Sequence, residues 1–112
     1  MKARFEQLHL EDMEQGLAMP FAVLSMEPDE ITKRFGITFA TTRDDLDYLR
    51  GALMKVPSGN QYAFVRHLNA PVSGTDILMN EKRSDFTFAV EELLTAFKLT
   101  ADCLSWMHPD VR

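Results

Sequence analysis

The chain of 112 residues is 46% hydrophobic and 26% charged, which excludes intrinsic disorder because disordered chains combine low hydrophobicity with high net charge. This length suits one hydrophobic core, so we expect a single domain over residues 1–112. The net charge is -5, and adjacent basic residues occur only at Lys33-Arg34 and Lys82-Arg83. Nucleic acid and anionic membranes both attract clustered cations, so we expect neither as a partner.

Cysteine usage and hydropathy indicate the compartment. The single cysteine, Cys103, excludes an intrachain disulfide and a cysteine-based zinc site. No run of about 18 consecutive apolar residues is present, so we expect no membrane-spanning helix. The N-terminal residues also lack the apolar core of a signal peptide. We therefore expect a cytoplasmic protein.

The N-terminal third is predicted to contain one helix and one strand, with a third element left open. Apolar residues at helical intervals predict a helix over residues 5–17, with Gly16 as its terminator. A short apolar run over residues 21–26, bounded by prolines, predicts a buried strand. Residues 28–36 fit either a wide turn or a short helix closing at Gly36, because proline favours the first helical position and glycine the position after the last.

The middle of the chain is predicted to form a strand followed by a central helix. Large residues alternate with small ones over residues 35–40, which is the period-2 pattern of a strand. Thr42 then resembles a helix N-cap, because acidic residues follow it where the helix dipole is positive. The predicted helix extends to Val56, and one apolar face is formed by Leu46, Leu49, Leu53 and Val56.

The last third is predicted to contain a hairpin and a long helix. Residues 61–68 are aromatic and β-branched on both faces, as in an interior strand, and they are expected to pair with residues 75–80. Residues 84–107 show near-heptad spacing and predict a long C-terminal helix with Ser84 as its N-cap. The predicted fold is α+β: an antiparallel or mixed sheet of about four strands, with a central helix and a long C-terminal helix packed on one face.

The C-terminal helix carries the leading prediction of function. Its apolar surface is wide for so small a domain, and it either closes the protomer core or contacts a second copy of the chain. We expect a non-enzymatic binding, adaptor or regulatory protein that acts through protein–protein interaction as a homodimer, and a different protein as a further partner stays open. The predicted interface residues are Phe86, Val90, Leu93, Phe97, Leu104 and Met107.

The alternative is a small enzyme or ligand-binding domain with a pocket near Tyr62, Arg66, His67 and Asp76. An imidazole near a carboxylate can act as a general base or bind an anion. Strand alternation, however, directs Arg66 and His67 to opposite faces, so at most one of them can face a given pocket. No residue spacing predicts a metal site, a cofactor or a catalytic residue, and the non-enzymatic prediction is therefore favoured.

Overall fold

A computed structural model describes residues 4–12, 20–43, 48–69, 73–79 and 85–111. Within these ranges the chain forms a seven-stranded antiparallel sheet and two α-helices. The strands are β1 (Glu6–Leu8), β2 (Ala22–Leu24), β3 (Ala40–Arg43), β4 (Tyr48–Lys55), β5 (Gln61–His67), β6 (Thr75–Met79) and β7 (Leu104–Met107). The helices are α1 (Pro28–Phe35) and α2 (Phe86–Phe97), and single 3-10 turns occupy Leu10–Asp12 and Ala101–Cys103.

The strand order of the sheet is β1-β4-β5-β6-β2-β7, and β3 also pairs with β4. The central pair, β4 and β5, is in register from Leu49 opposite His67 to Lys55 opposite Gln61. The other side of β4 carries both β1 and β3, which share one edge of the sheet. The opposite edge is β7, the last strand of the chain.

The main core lies between one face of the sheet and α2. Phe97 at the end of α2 is 1% exposed. Its ring lies 5.0 Å from that of Phe5, 5.6 Å from that of Phe35 and 5.3 Å from that of Phe64. The helix thus fills the protomer core with an aromatic cluster drawn from four separate parts of the chain. Further buried residues of α2 are Ala89, Val90, Leu93 and Ala96.

The opposite face of the sheet has a smaller core of its own. Its buried members are Leu49, Leu53, Ala63 and Val65, with Leu8 and Leu78 packed against them. Gly51 allows the Leu10 side chain to lie against the sheet, since a Cβ atom built on Gly51 would be 3.0 Å from Leu10 Cδ1. Strand β4 is consequently buried on both faces.

Both helices have well-defined ends. In α1, Pro28 occupies the first turn and Gly36 adopts the left-handed conformation at φ 73°, as expected of a helix start and stop. In α2, the Asp85 side chain caps the N-terminus by accepting from the Phe88 N–H. Lys98 ends α2 in the left-handed conformation at φ 56°. Neither helix in the described part of the chain is long and apolar enough to cross a membrane.

The α+β class is confirmed, as are three local predictions. Residues 21–26 contain β2, residues 61–68 contain the interior strand β5, and residues 75–80 contain β6, which pairs with β5. The structure also decides between the two alternatives for residues 28–36, because α1 is a helix that ends at Gly36.

The predicted central helix is wrong. Thr42 lies in β3, and Leu49 and Leu53 lie in β4, while residues 44–47 lie outside the described residues. The physical reason is that both faces of β4 are buried, so its apolar residues do not alternate with polar ones. The predicted strand over residues 35–40 is also wrong, because α1 extends to Phe35 and β3 starts at Ala40.

The long C-terminal helix and the N-terminal helix are not formed as predicted. Lys98 turns the chain out of α2, and the segment from Leu104 returns to the sheet as β7. Ser84 lies outside the described residues, and Asp85 is the N-cap. At the N-terminus, residues 5–12 contain β1 and a 3-10 turn, while residues 13–19 lie outside the described residues. The sheet accordingly has seven strands instead of about four.

Candidate functional site at the β7 edge

Two exposed apolar side chains are consecutive on the edge strand β7. Trp106 is 43% exposed and Met107 is 41% exposed, and they are two of the five large hydrophobic side chains most exposed among the described residues. Of the other three, Tyr48 at the start of β4 and Leu68 just after β5 are joined by a hydrogen bond from the Leu68 N–H to the Tyr48 carbonyl at 3.0 Å, and Phe88 lies on α2. Met107 lies opposite Ala22 and Trp106 opposite Val23, so the two side chains project from opposite faces of the sheet at this edge.

Strand β7 is fastened to β2 at both of its ends. The Ser25 N–H donates to the Cys103 carbonyl at 2.7 Å, and the His108 N–H donates to the Phe21 carbonyl at 2.8 Å. Because backbone groups alternate in direction along an antiparallel strand, the N–H and C=O of Met107 point away from β2. A register shift between Val23 and Leu24 marks a bulge in this pair. The strand is therefore held at both ends, and no strand among the described residues pairs with its outer edge.

Aromatic rings support the C-terminal end of the strand. The Phe86 ring stacks on Phe21 with centroids 6.1 Å apart and lies 4.5 Å from the His108 ring. His108 also lies 6.2 Å from the Trp106 ring. Its Nδ1 accepts a hydrogen bond from the Asp110 N–H at 3.1 Å. We name Phe86, Leu104, Trp106, Met107 and His108 the β7 patch.

The two edges of the sheet differ in charge. Strand β7 consists of Leu, Ser, Trp and Met, so it has no charged side chain. The opposite edge includes Glu6 on β1 and Arg43 on β3, and all four residues of β3 are exposed. Charged side chains on an edge strand discourage pairing with another chain. The β7 edge lacks this protection apart from its bulge, so its geometry permits another strand to pair with it.

The structure divides the four predicted ligand residues between the two faces of the sheet. Tyr62 is fully buried, and its hydroxyl donates to Glu92 Oε1 at 2.6 Å. Arg66 lies on the same face of β5, with its Nε 3.4 Å from Glu27 Oε1. His67 lies on the opposite face, which it shares with Asp76 because Asp76 pairs with Val65 across the strands.

The Asp76 carboxylate interacts electrostatically with His67 and Arg66. Burial raises the pKa of Asp76 above the 3.8 of an exposed aspartate, while the nearby His67 and Arg66 oppose that rise by favouring the carboxylate. The structure thus brings His67 and Asp76 together and separates them from Tyr62. Within the described ranges, no group of three or more His, Cys, Asp or Glu side chains is arranged to hold a metal ion.

The six predicted interface residues are also divided. Val90, Leu93 and Phe97 are buried in the protomer core, whereas Leu104 and Met107 belong to β7 and Phe86 supports it. Trp106 was missed because it was assigned to a helix. Period-2 alternation does not identify this strand, because the register shift places Leu104 opposite Leu24 and Trp106 opposite Val23, on opposite faces of the sheet.

Comparison of the chain with protein-family models, with curated proteins and with solved structures found no match.

Proposed function

We propose that this chain is a non-enzymatic binding protein, an adaptor or regulator, that forms a homodimer by pairing β7 with β7 of a second copy. The observation that carries the proposal is the adjacent exposure of Trp106 and Met107 on an uncharged edge strand. We assign the protein to the cytoplasm as part of the same proposal, because a lone cysteine suits a reducing compartment.

An antiparallel β7 pair is self-complementary. A two-fold axis between Ser105 and Trp106 sets Leu104 of one copy opposite Met107 of the other, and Ser105 opposite Trp106. No like charges face each other in this register, and the outward N–H of Met107 gains the Leu104 carbonyl of the second copy as its acceptor, whereas the Leu104 N–H already donates to the Ala101 carbonyl. The strand is short, so the interface falls below the roughly 1,200–2,000 Å² of stable complexes. We therefore expect a dissociation constant of about micromolar order.

Sedimentation velocity over a range of about 1–200 µM tests this pairing. The natural chain is expected to pass from monomer to dimer within that range. Trp106→Lys is expected to remain monomeric, because two cations would then be brought together at the dimer axis. Leu68→Lys is the matched control: Leu68 is 51% exposed and lies outside β7, so this variant is expected to dimerise like the natural chain.

Circular dichroism confirms that each variant is folded before its mass is interpreted. Met107→Lys is the second disrupting variant and does not alter the Trp106 ring. A natural chain that stays monomeric at about 200 µM would contradict the proposal. If the Trp106→Lys and Met107→Lys variants are both folded and both dimerise with the dissociation constant of the natural chain, the interface lies elsewhere.

A further inference from the structure

A second surface, remote in sequence from β7, forms a cleft between α2 and the turn that joins β4 to β5. Its volume is about 400 Å³, which lies within the roughly 300–1,000 Å³ of known ligand sites. Phe88 and Ala96 of α2 and Pro57 of the turn supply apolar walls. The Phe88 ring is 46% exposed, so it offers a surface against which an apolar group can pack.

One wall of the cleft contains a carboxylate that is held in place from the core. Glu92 Oε1 accepts a hydrogen bond from the Tyr62 hydroxyl at 2.6 Å and another from Asn60 Nδ2 at 2.7 Å. Both donors are buried, with Tyr62 0% and Asn60 8% exposed. One donor from β5 and one from the turn between β4 and β5 therefore fix the Glu92 carboxylate at the cleft, which reduces the entropy that is lost when a ligand binds to it.

Charges of opposite sign line the two ends of the cleft. Glu91 and Glu92 lie in the middle of α2, whereas Lys98 follows its last residue. Arg4 is held at the Lys98 end, because its N–H donates to the Ala96 carbonyl at 2.7 Å. With a rise of about 1.5 Å per residue, Glu91 and Lys98 are separated by about 10 Å along the helix. The cleft is thus acidic at one end and basic at the other.

We propose that this cleft binds a short peptide with a free amino group and a free carboxylate about 10 Å apart. The amino group binds Glu91 and Glu92, the carboxylate binds Arg4 and Lys98, and the apolar middle residue lies between them against Pro57 and Ala96. Three extended residues span about 10 Å, so a tripeptide matches the separation of the charges. This inference is independent of β7 pairing, because the two surfaces have no residue in common.

NMR titration of the ¹⁵N-labelled full chain with the tripeptide Ala-Phe-Ala tests the proposal. The tripeptide is expected to shift the amide resonances of residues 88–98 and to bind with a dissociation constant of about 0.1–1 mM. The acetylated and amidated form of the same peptide lacks both charges. It is expected to bind at least about 10-fold more weakly, because it cannot pair with either end of the cleft.

Two variants and one control locate the binding groups. Glu92→Gln and Lys98→Gln each remove one charge and are each expected to weaken Ala-Phe-Ala binding by roughly 5- to 10-fold. Lys98→Gln leaves the Tyr62 and Asn60 hydrogen bonds intact, so it tests the cleft even if Glu92→Gln is poorly folded. Glu30→Gln neutralises an exposed acid on α1 and is expected to bind like the natural chain.

Three results would overturn this inference: no amide shifts at about 10 mM tripeptide, equal binding of the free and capped peptides, or shifts confined to residues outside the cleft. Trp106→Lys separates the two proposals. If the Trp106→Lys variant is a folded monomer that still binds Ala-Phe-Ala, peptide binding at the cleft is supported without the dimer. If the Lys98→Gln variant still dimerises but binds the tripeptide more weakly, β7 pairing is supported without peptide binding.

Discussion

Removing the Tyr62 hydroxyl tests the polar connection between the sheet and α2. Tyr62 is fully buried on β5, and its hydroxyl donates to Glu92 Oε1 on α2 at 2.6 Å. Tyr62→Phe keeps the ring and deletes this donor. Glu92 retains the hydrogen bond from Asn60 Nδ2, so the carboxylate keeps one buried donor in the variant.

The expected loss follows from the charge of the acceptor. A hydrogen bond to a charged group contributes about 1.5–3 kcal/mol, against about 1 kcal/mol for a neutral pair. We expect Tyr62→Phe to lower the free energy of unfolding by about 2 kcal/mol, since the ring packing is unchanged and one donor to Glu92 survives. For a domain of this size, that corresponds to a fall of roughly 8–10 °C in melting temperature.

Urea denaturation followed by circular dichroism measures this loss, with Tyr48→Phe as the matched control. Tyr48 is 53% exposed, so Tyr48→Phe is expected to change the free energy of unfolding by less than about 0.5 kcal/mol. A double-mutant cycle with Glu92→Gln is expected to give a coupling energy of about 1 kcal/mol, because the charge-assisted part of the bond is then absent. Equal losses for Tyr62→Phe and Tyr48→Phe would refute the reasoning.

Two further predictions concern the core and the opposite face of the sheet. Phe97→Ala is expected to lower the free energy of unfolding, measured by urea denaturation, by about 3–5 kcal/mol. The reason is that Phe97 is 1% exposed and packs among three other rings. A loss below about 1 kcal/mol would place Phe97 outside the protomer core. Since burial raises the pKa of Asp76, the folded state binds this proton more tightly than the unfolded state, and the carboxylate destabilises the fold above the folded-state pKa. Thermal unfolding should therefore show that Asp76→Asn is more stable than the natural chain near neutral pH and that this advantage shrinks as the pH falls towards about 4; an advantage independent of pH would contradict the assignment.

Local patterns in the sequence were sufficient where an element is defined by its own residues. The apolar run between Pro20 and Pro28 predicted β2, and the mixed aromatic and β-branched residues over 61–68 predicted an interior strand. For residues 28–36 the sequence left a wide turn and a short helix open, and the helix alternative is the one that forms, with Gly36 in the left-handed conformation that glycine adopts at little cost. These features depend on backbone preferences and on burial that neighbouring residues already indicate.

The candidate sites depend on distant contacts and were only partly predictable. Leu104 and Met107 were expected at an interface, but on a helix that continues through residue 107. The actual helix ends at Lys98, a non-glycine residue at φ 56°, and no local signal distinguishes that position from the lysines of a continuing helix. The cleft was not predicted at all, because Asn60 and Glu92 are 32 residues apart in the chain.

The sequence by itself determined an acidic α+β domain with a buried strand pair, β5 and β6, and an apolar helix that starts near residue 85. Only the tertiary structure decided that Gly51–Met54 belong to a strand. These residues are buried on both faces, so their pattern fits a buried helix as well as a central strand. Pairing with β1, β3 and β5 settles the choice, because a strand's backbone hydrogen bonds require partners that are distant in sequence.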